Sequence, residues 1–275
     1  MVWATLSSMP ITHEKTWRAG RFWWDSAAPA GALCSLRAVV FDLDALTDIE
    51  CDGHRVAYNA AFAAHGLDFE WSVGRYRKLL ALTDERQRVA AELRKRCVAT
   101  ESDVLTALLA DEIYTTKTML FDELVLDRDV TPRPGLIDLV MDAYAAGVQV
   151  AVVTNGHRSW AEPLVRQLAG DGLVETVVTA DDVRKPMPDP AAHGHALWEL
   201  GITAEDALAV SGSASGLRAA NAAGLPTVVV TGEGVPNIAT AVSVRPDFGG
   251  SEPLRITDCQ RLHGNWWKIH KPSAA

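Results

Sequence analysis

The sequence predicts an α/β fold in which a doubly wound parallel sheet, a Rossmann-like core, carries an inserted all-helical cap. Three observations predict it. Apolar runs of strand length recur at 37–41, 148–153, 175–179, 207–210 and 226–230. Helical patterns separate the later runs, as parallel pairing requires, because a chain must cross over before it can pair in the same direction. Between the first and second runs lie about a hundred residues of helical pattern only, too many for a simple crossover.

Each element follows from its residues. Ala38 to Phe41 is apolar without interruption and β-branched or aromatic at three of its four positions, which suits a central strand buried on both faces. It ends at Asp42, where the backbone must leave the sheet, and Asp44 follows at i+2 on the same side of an extended chain. Helices are expected around 53–65, 72–81, 85–97 and 101–125, standing over the strand ends as a lid. A helix from Gly135 to Ala146 leads into VQVAVV (148–153), and one from His157 to Leu168 leads out of it towards ETVVT (175–179). Ala191 to Leu200 precedes ALAV (207–210), and Gly216 to Ala223 precedes PTVVV (226–230). The organisation is therefore a core at 36–50 plus 131–248 and a helical cap at 51–130, flanked by a Trp-containing extension (1–35) and a tail (249–275).

The flanks hold Trp3, Trp17, Trp23, Trp24, Trp266 and Trp267. Large aromatics are costly to leave in water, so part of each flank is expected to pack. Trp71 and Trp198 are read as structural, and His54 and His65 as surface or packing residues of a cap helix. His193 and His195, two apart on a helix, face apart.

Composition narrows the function. A net charge of −9 over 275 residues argues against a nucleic-acid surface. The basic stretch LRKRC at 93–97 reads as a solvated helix face. Cys34, Cys51, Cys97 and Cys259 are scattered, with neither CxxC nor zinc spacing, which fits a reduced, cytoplasmic protein. No apolar run reaches the length of a signal peptide or a membrane span, so a soluble protein is expected. Oligomeric state is left open.

The candidate chemistry lies at the strand ends, where doubly wound sheets bind ligands. Asp42 and Asp44 can act on one substrate, one attacking while the other moves protons, because neighbouring carboxylates push their pKa values apart. The competing reading is an N-cap or turn pair. After the second run, VVTNG offers the Thr154 hydroxyl and the N–H groups of Asn155 and Gly156 to an oxyanion, or simply ends a strand in a turn. RKPMPDP (184–190) holds Lys185 in a proline-stiffened segment. SGSASG, after the fourth run, opens a helix whose N-terminus suits an anion.

Together these motifs, over roughly residues 36 to 235, resemble the haloacid dehalogenase superfamily of aspartyl-phosphate hydrolases. The likeness is to its capped branch of β-phosphoglucomutase and small sugar-phosphate and phosphoglycolate phosphatases, and residues 54–80 resemble the cap of sugar-bisphosphate phosphatases. The resemblance implies a small phosphorylated metabolite as substrate, Asp42 as nucleophile, Asp44 as acid/base, and Thr154 and Lys185 holding the phosphoryl group. Arg86 stands where related caps carry a substrate-facing lysine. It also implies Mg2+, held by Asp42, the main-chain carbonyl of Asp44 and an acidic pair after the fourth strand. Here that pair is Ser211 and Gly212, so the third acidic ligand is missing at Gly212, and Gly212→Asp is expected to restore metal binding. Ala45 and Leu46 replace a glycine and a threonine, at a cost of about 1 kcal/mol if the turn needs a positive φ. Two further readings stand beside phosphoryl transfer: an inactive relative that binds a phosphorylated ligand or a partner protein, and metal-free dehalogenation, which Asp44 disfavours.

Overall fold

The computed structural model describes residues 35–82, 84–99, 101–127, 130–231 and 239–270, with the backbone of an antiparallel hairpin formed by β1 (Glu14–Arg18) and β2 (Arg21–Asp25). Packing of the N-terminal tryptophans lies outside the described residues.

Six parallel strands form the core sheet: β3 (Ala38–Asp42), β4 (Gln149–Val153), β5 (Thr176–Val178), β6 (Ala207–Ser211), β7 (Thr227–Val230) and β8 (Ser243–Arg245). Their spatial order is β5-β4-β3-β6-β7-β8, so β3 lies at the switch point with β4 on one side and β6 on the other. The register pairs Asp42 with Val153 and Phe41 with Val210, which brings the ends of three strands side by side.

Alternation along the strands sorts the core into two layers. Val39, Phe41, Val150, Val152, Leu208 and Val210 face a bulky layer with α6 (Leu136–Ala145) and α7 (Arg158–Ala169). Ala38, Val40, Ala151, Ala207 and Ala209 face the other side, where their small side chains admit α8 (Ala191–Leu200) and α9 (Ala214–Ala222). His193 is buried there, while His195 lies by Glu199. Trp198, read as structural, is about half exposed, so it is not a core residue.

The interval after β3 holds a short helix α1 (Leu43–Leu46), a π-helical turn (Glu50–His54) and four helices, α2 (Arg55–Ala64), α3 (Val73–Leu79), α4 (Glu85–Lys95) and α5 (Asp103–Asp127). Tyr58, Phe62, Trp71, Tyr76, Val89, Leu93 and Ile113 give this cap its own apolar centre. It is fastened to the core through α5 and α7, where Phe121 packs edge-on against Trp160 and Ser159 donates to Asp122.

The tail from residue 249 is not an appendage. It forms α10 (Ile256–His270), and Leu254, Ile256 and Cys259 join the bulky core layer beside Phe248. His263 is buried with Nε2 2.9 Å from the Glu205 carbonyl. Cys51, Cys97 and Cys259 are free thiols, and no helix among the described residues is long and apolar enough to cross a membrane.

Candidate active site

Asp42 is the end of β3 and also the N-cap of α1, as the N-cap reading has it. Its carboxylate is wholly buried and accepts four hydrogen bonds. Oδ1 accepts from the backbone N–H of Ala45 (2.9 Å) and of Gly212 (2.7 Å). Oδ2 accepts from the hydroxyls of Ser211 (2.5 Å) and Ser213 (3.2 Å). Burial pushes its pKa up by penalising the charged form, and the four donors oppose that by stabilising the anion. Two glycines make the arrangement possible. A Cβ at Gly216 would stand 1.8 Å from Asp42 Oδ2, and one at Gly212 would stand 2.1 Å from the Asp44 carbonyl oxygen.

Asp44 is perturbed as well. Desolvation, then the charges of Asp42 and Glu50, push its carboxyl up to about 8, with Ser213 and Arg133 opposing. At neutral pH it carries a proton. Its main-chain carbonyl accepts from Arg133 Nη2 (2.9 Å) and Nε (3.3 Å). Arg133 reaches it because the segment before α6 is tied to α1: Arg133 N–H donates to Leu46 O, and the Thr47 hydroxyl donates to Thr131 O. Gly135 then turns the chain with φ +79°, its Cα so close to the Phe248 backbone that a Cβ would lie 2.6 Å away. Ala45 sits in the helical turn of α1 and not at a positive φ, so the glycine it replaces is not missed.

The remaining expected residues are placed less centrally. Thr154 is buried one residue past the β4 end, with Oγ1 accepting from Gly156 N–H. Gly156 lies against the Trp160 ring, where a Cβ would overlap at 2.1 Å. The Asn155 side chain clamps the 184–190 loop by donating to Met187 O (3.2 Å) and accepting from Met187 N–H (2.7 Å). Lys185, carried by that loop, is largely exposed, with Nζ 3.7 Å from Asp189 Oδ2 and not among the groups that bond Asp42. Arg86 donates from Nε to Asp111 at 2.5 Å and lies over the Tyr114 ring, so it is engaged within the cap.

A buried cation of the cap is another residue, Lys117. It lies 2.8 Å from Glu85 Oε2, which also accepts from the Tyr58 hydroxyl at 2.6 Å. Burial pushes Glu85 up, but Lys117 outweighs that and holds it at about 2. Beside them His54 is half-buried and stacked on Phe121, and desolvation with the Lys117 charge lowers it to about 4, so its ring is neutral. His54 is thus a packing residue beside the charged pair.

The donor set does not fit the Mg2+ that the resemblance implies. Magnesium needs near-octahedral oxygen ligation anchored by carboxylates. Among the described residues no group of three or more His, Cys, Asp or Glu side chains could hold a metal ion. Both Asp42 oxygens and the Asp44 carbonyl already accept from protein donors. The expectation that Gly212→Asp restores a ligand is corrected by the packing, since any side chain at 212 meets the Asp44 backbone.

Comparison with known proteins agrees with the geometry. A family model described as haloacid dehalogenase-like hydrolase matches residues 36–224. The protein CbbY of Cereibacter sphaeroides is 34% identical over 200 residues, covering 72% of this chain and 85% of that protein. A CBBY-like protein of Arabidopsis thaliana is 32% identical over 236 residues, covering 81% and 74%. The crystal structure of CbbY from Rhodobacter sphaeroides in complex with phosphate superposes with a TM-score of 0.59 at 31% identity, covering 77% of this chain and 94% of that one. A mutant of the same protein in complex with xylulose-(1,5)bisphosphate gives 0.60 at 30%, covering 78% and 97%. This chain belongs to the haloacid dehalogenase-like hydrolases.

Proposed function

We propose that this hydrolase transfers the phosphoryl group of a small phosphorylated metabolite, as a phosphatase or phosphomutase, through an aspartyl-phosphate on Asp42. The single observation that carries this is the pairing of two buried carboxyls at the end of one central strand, Asp42 with four hydrogen-bond donors on its oxygens and Asp44 raised to about 8 beside it. A carboxylate oxygen of Asp42 bonds to phosphorus as the ester P–O bond breaks, and the Asp44 proton passes to the leaving oxygen. Water then attacks the same phosphorus and gives its proton to Asp44, which frees phosphate and regenerates Asp42. Oδ2 is the oxygen whose partners can turn away, since the Ser211 and Ser213 hydroxyls rotate while the amides on Oδ1 are fixed. Those hydroxyls and the N-terminus of α9 then face the phosphoryl oxygens. Thr154, with the N–H groups of Asn155 and Gly156, and Lys185 are proposed to border the phosphoryl group, Lys185 by leaving Asp189. Arg86 is proposed to face substrate only if it leaves Asp111. The three free thiols favour a reduced, cytoplasmic setting.

The relatives named for phosphate and xylulose bisphosphate support sugar phosphates as the first substrates to try. Phosphate release from a panel of sugar mono- and bisphosphates is expected with the native full chain and lost with Asp42→Asn. Release that is unchanged in Asp42→Asn would overturn the reading. A second reading, a binder of phosphorylated ligands that does not turn over, is favoured by one observation, the full engagement of both Asp42 oxygens. It predicts saturable binding of sugar phosphate with no release.

A further inference from the structure

We propose that this centre works without a divalent ion, because the protein fills each position such an ion would take. Arg133 occupies the Asp44 carbonyl, and Ser211, Gly212 and Ser213 occupy the Asp42 carboxylate. The inference deepens the phosphoryl-transfer reading and rests on it.

Three independent features carry it. The Asp44 carbonyl oxygen receives two N–H groups of the Arg133 fork at 2.9 and 3.3 Å, so a positive group already lies against it. The Asp42 oxygens receive four donors whose hydrogens point at the lone pairs that a cation would need. Cα of Gly212 is pressed on the Asp44 backbone, with the site of a Cβ 2.1 Å from the carbonyl oxygen and 2.5 Å from Ala45 N, so the loop after β6 has closed over the space where a metal and its third ligand would sit. The closure has a sequence cause: serine and glycine at 211 and 212 are small enough to let β6 approach α1, and a carboxylate pair there would be forced against Asp42.

A guanidinium carries one charge where a magnesium ion carries two, and it bears on the Asp44 backbone and not on the phosphate. Arg133 is therefore a positioning residue. It fixes the turn that presents Asp42 and Asp44, and it supplies part of the positive field in which an anionic carboxylate meets an anionic phosphate.

The test begins with calorimetric titration of Mg2+, and separately Mn2+, into the native full chain. No saturable binding up to about 10 mM is expected, a range weaker than about −3 kcal/mol. One-to-one binding at sub-millimolar ion that Asp42→Asn abolishes would overturn the inference, whatever the activity. Phosphate release is then followed with EDTA and with added Mg2+, and a change within about twofold is expected. Stimulation of about tenfold or more by Mg2+ would overturn it. Arg133→Met is expected to lower kcat about tenfold or more with KM little changed, and Arg133→Lys, or guanidinium ion added to Arg133→Met, to recover part of it. An Arg133→Met protein with native kcat would remove Arg133 from the account. Absence of release under every metal condition would sink the phosphatase reading, while the calorimetric arm would still decide the metal question.

Discussion

Removing Glu85 should destabilise the cap more than its partial exposure suggests. The Lys117 side chain is only 5% exposed, against 31% for Glu85, and the two lie 2.8 Å apart. Glu85→Leu strands the Lys117 ammonium in an apolar, aromatic setting beside Tyr58 and Phe121, at a cost of about 3–5 kcal/mol. It also orphans the Tyr58 hydroxyl. Lys117→Met should cost less, about 1–2 kcal/mol, because Glu85 keeps Tyr58 and reaches water. The double variant should regain most of what Glu85→Leu loses, falling within about 2 kcal/mol of native, with Tyr58 as the remaining debit. The assay is urea unfolding followed by circular dichroism for the native chain, both single variants and the double. If Glu85→Leu lay within about 1 kcal/mol of native, or the double were as unstable as Glu85→Leu, the buried-charge argument would fail.

Other predictions concern the site. Asp44 is raised from 3.8 to about 8, so the folded state binds its proton more tightly, and the stability this gives is complete at low pH and lost as pH rises from about 4 through 8. Asp44→Asn should therefore flatten the loss of Tm between about pH 5 and 8, and a native profile already flat there would contradict the raised pKa. Loss of the acid as Asp44 ionises should also make turnover fall as pH rises past about 8. Gly216→Ala should lower activity at least about a hundredfold, since its methyl group falls on Asp42 Oδ2; near-native turnover in that variant would show that the carboxylate is not held as described. Gly212→Asp should unfold at lower urea than native and gain no Mg2+ affinity, to be read by the same denaturation assay and by calorimetry.

Much of this molecule was legible in its sequence, and the exceptions have physical causes. Strands buried on both faces are uninterrupted apolar runs, so β3, β4, β6 and β7 were readable, and the insertion between β3 and β4 was readable because helical periodicity persisted across it. The short strand β8 was not, because SVR at 243–245 lies partly exposed at a sheet edge and has no such run. Helix α10 was missed because its apolar face is split by polar residues and only Ile256, Cys259 and His263 are buried. The Asp42 and Asp44 pair could be read from its position. Arg133 could not, since it acts on a carbonyl 89 residues away through a turn that only the fold closes. Ser211 and Gly212 were read as a missing carboxylate pair, whereas the structure gives them a positive role as a donor and as a place of close backbone approach. Composition alone carries no such signal, because a hydroxyl or a missing Cβ acquires meaning only from the atom it faces.

The central claim is that Asp42 takes a phosphoryl group from a small metabolite, and chemical trapping tests it most directly. The full chain is mixed with radiolabelled acetyl phosphate or a turned-over sugar phosphate, quenched in acid within the turnover time, digested and mapped by mass spectrometry. The account predicts an acid-stable, hydroxylamine-labile phosphoryl group on the peptide holding Asp42, absent in Asp42→Asn and longer-lived in Asp44→Asn. Turnover without any label on that peptide, or label that persists in Asp42→Asn, would contradict it.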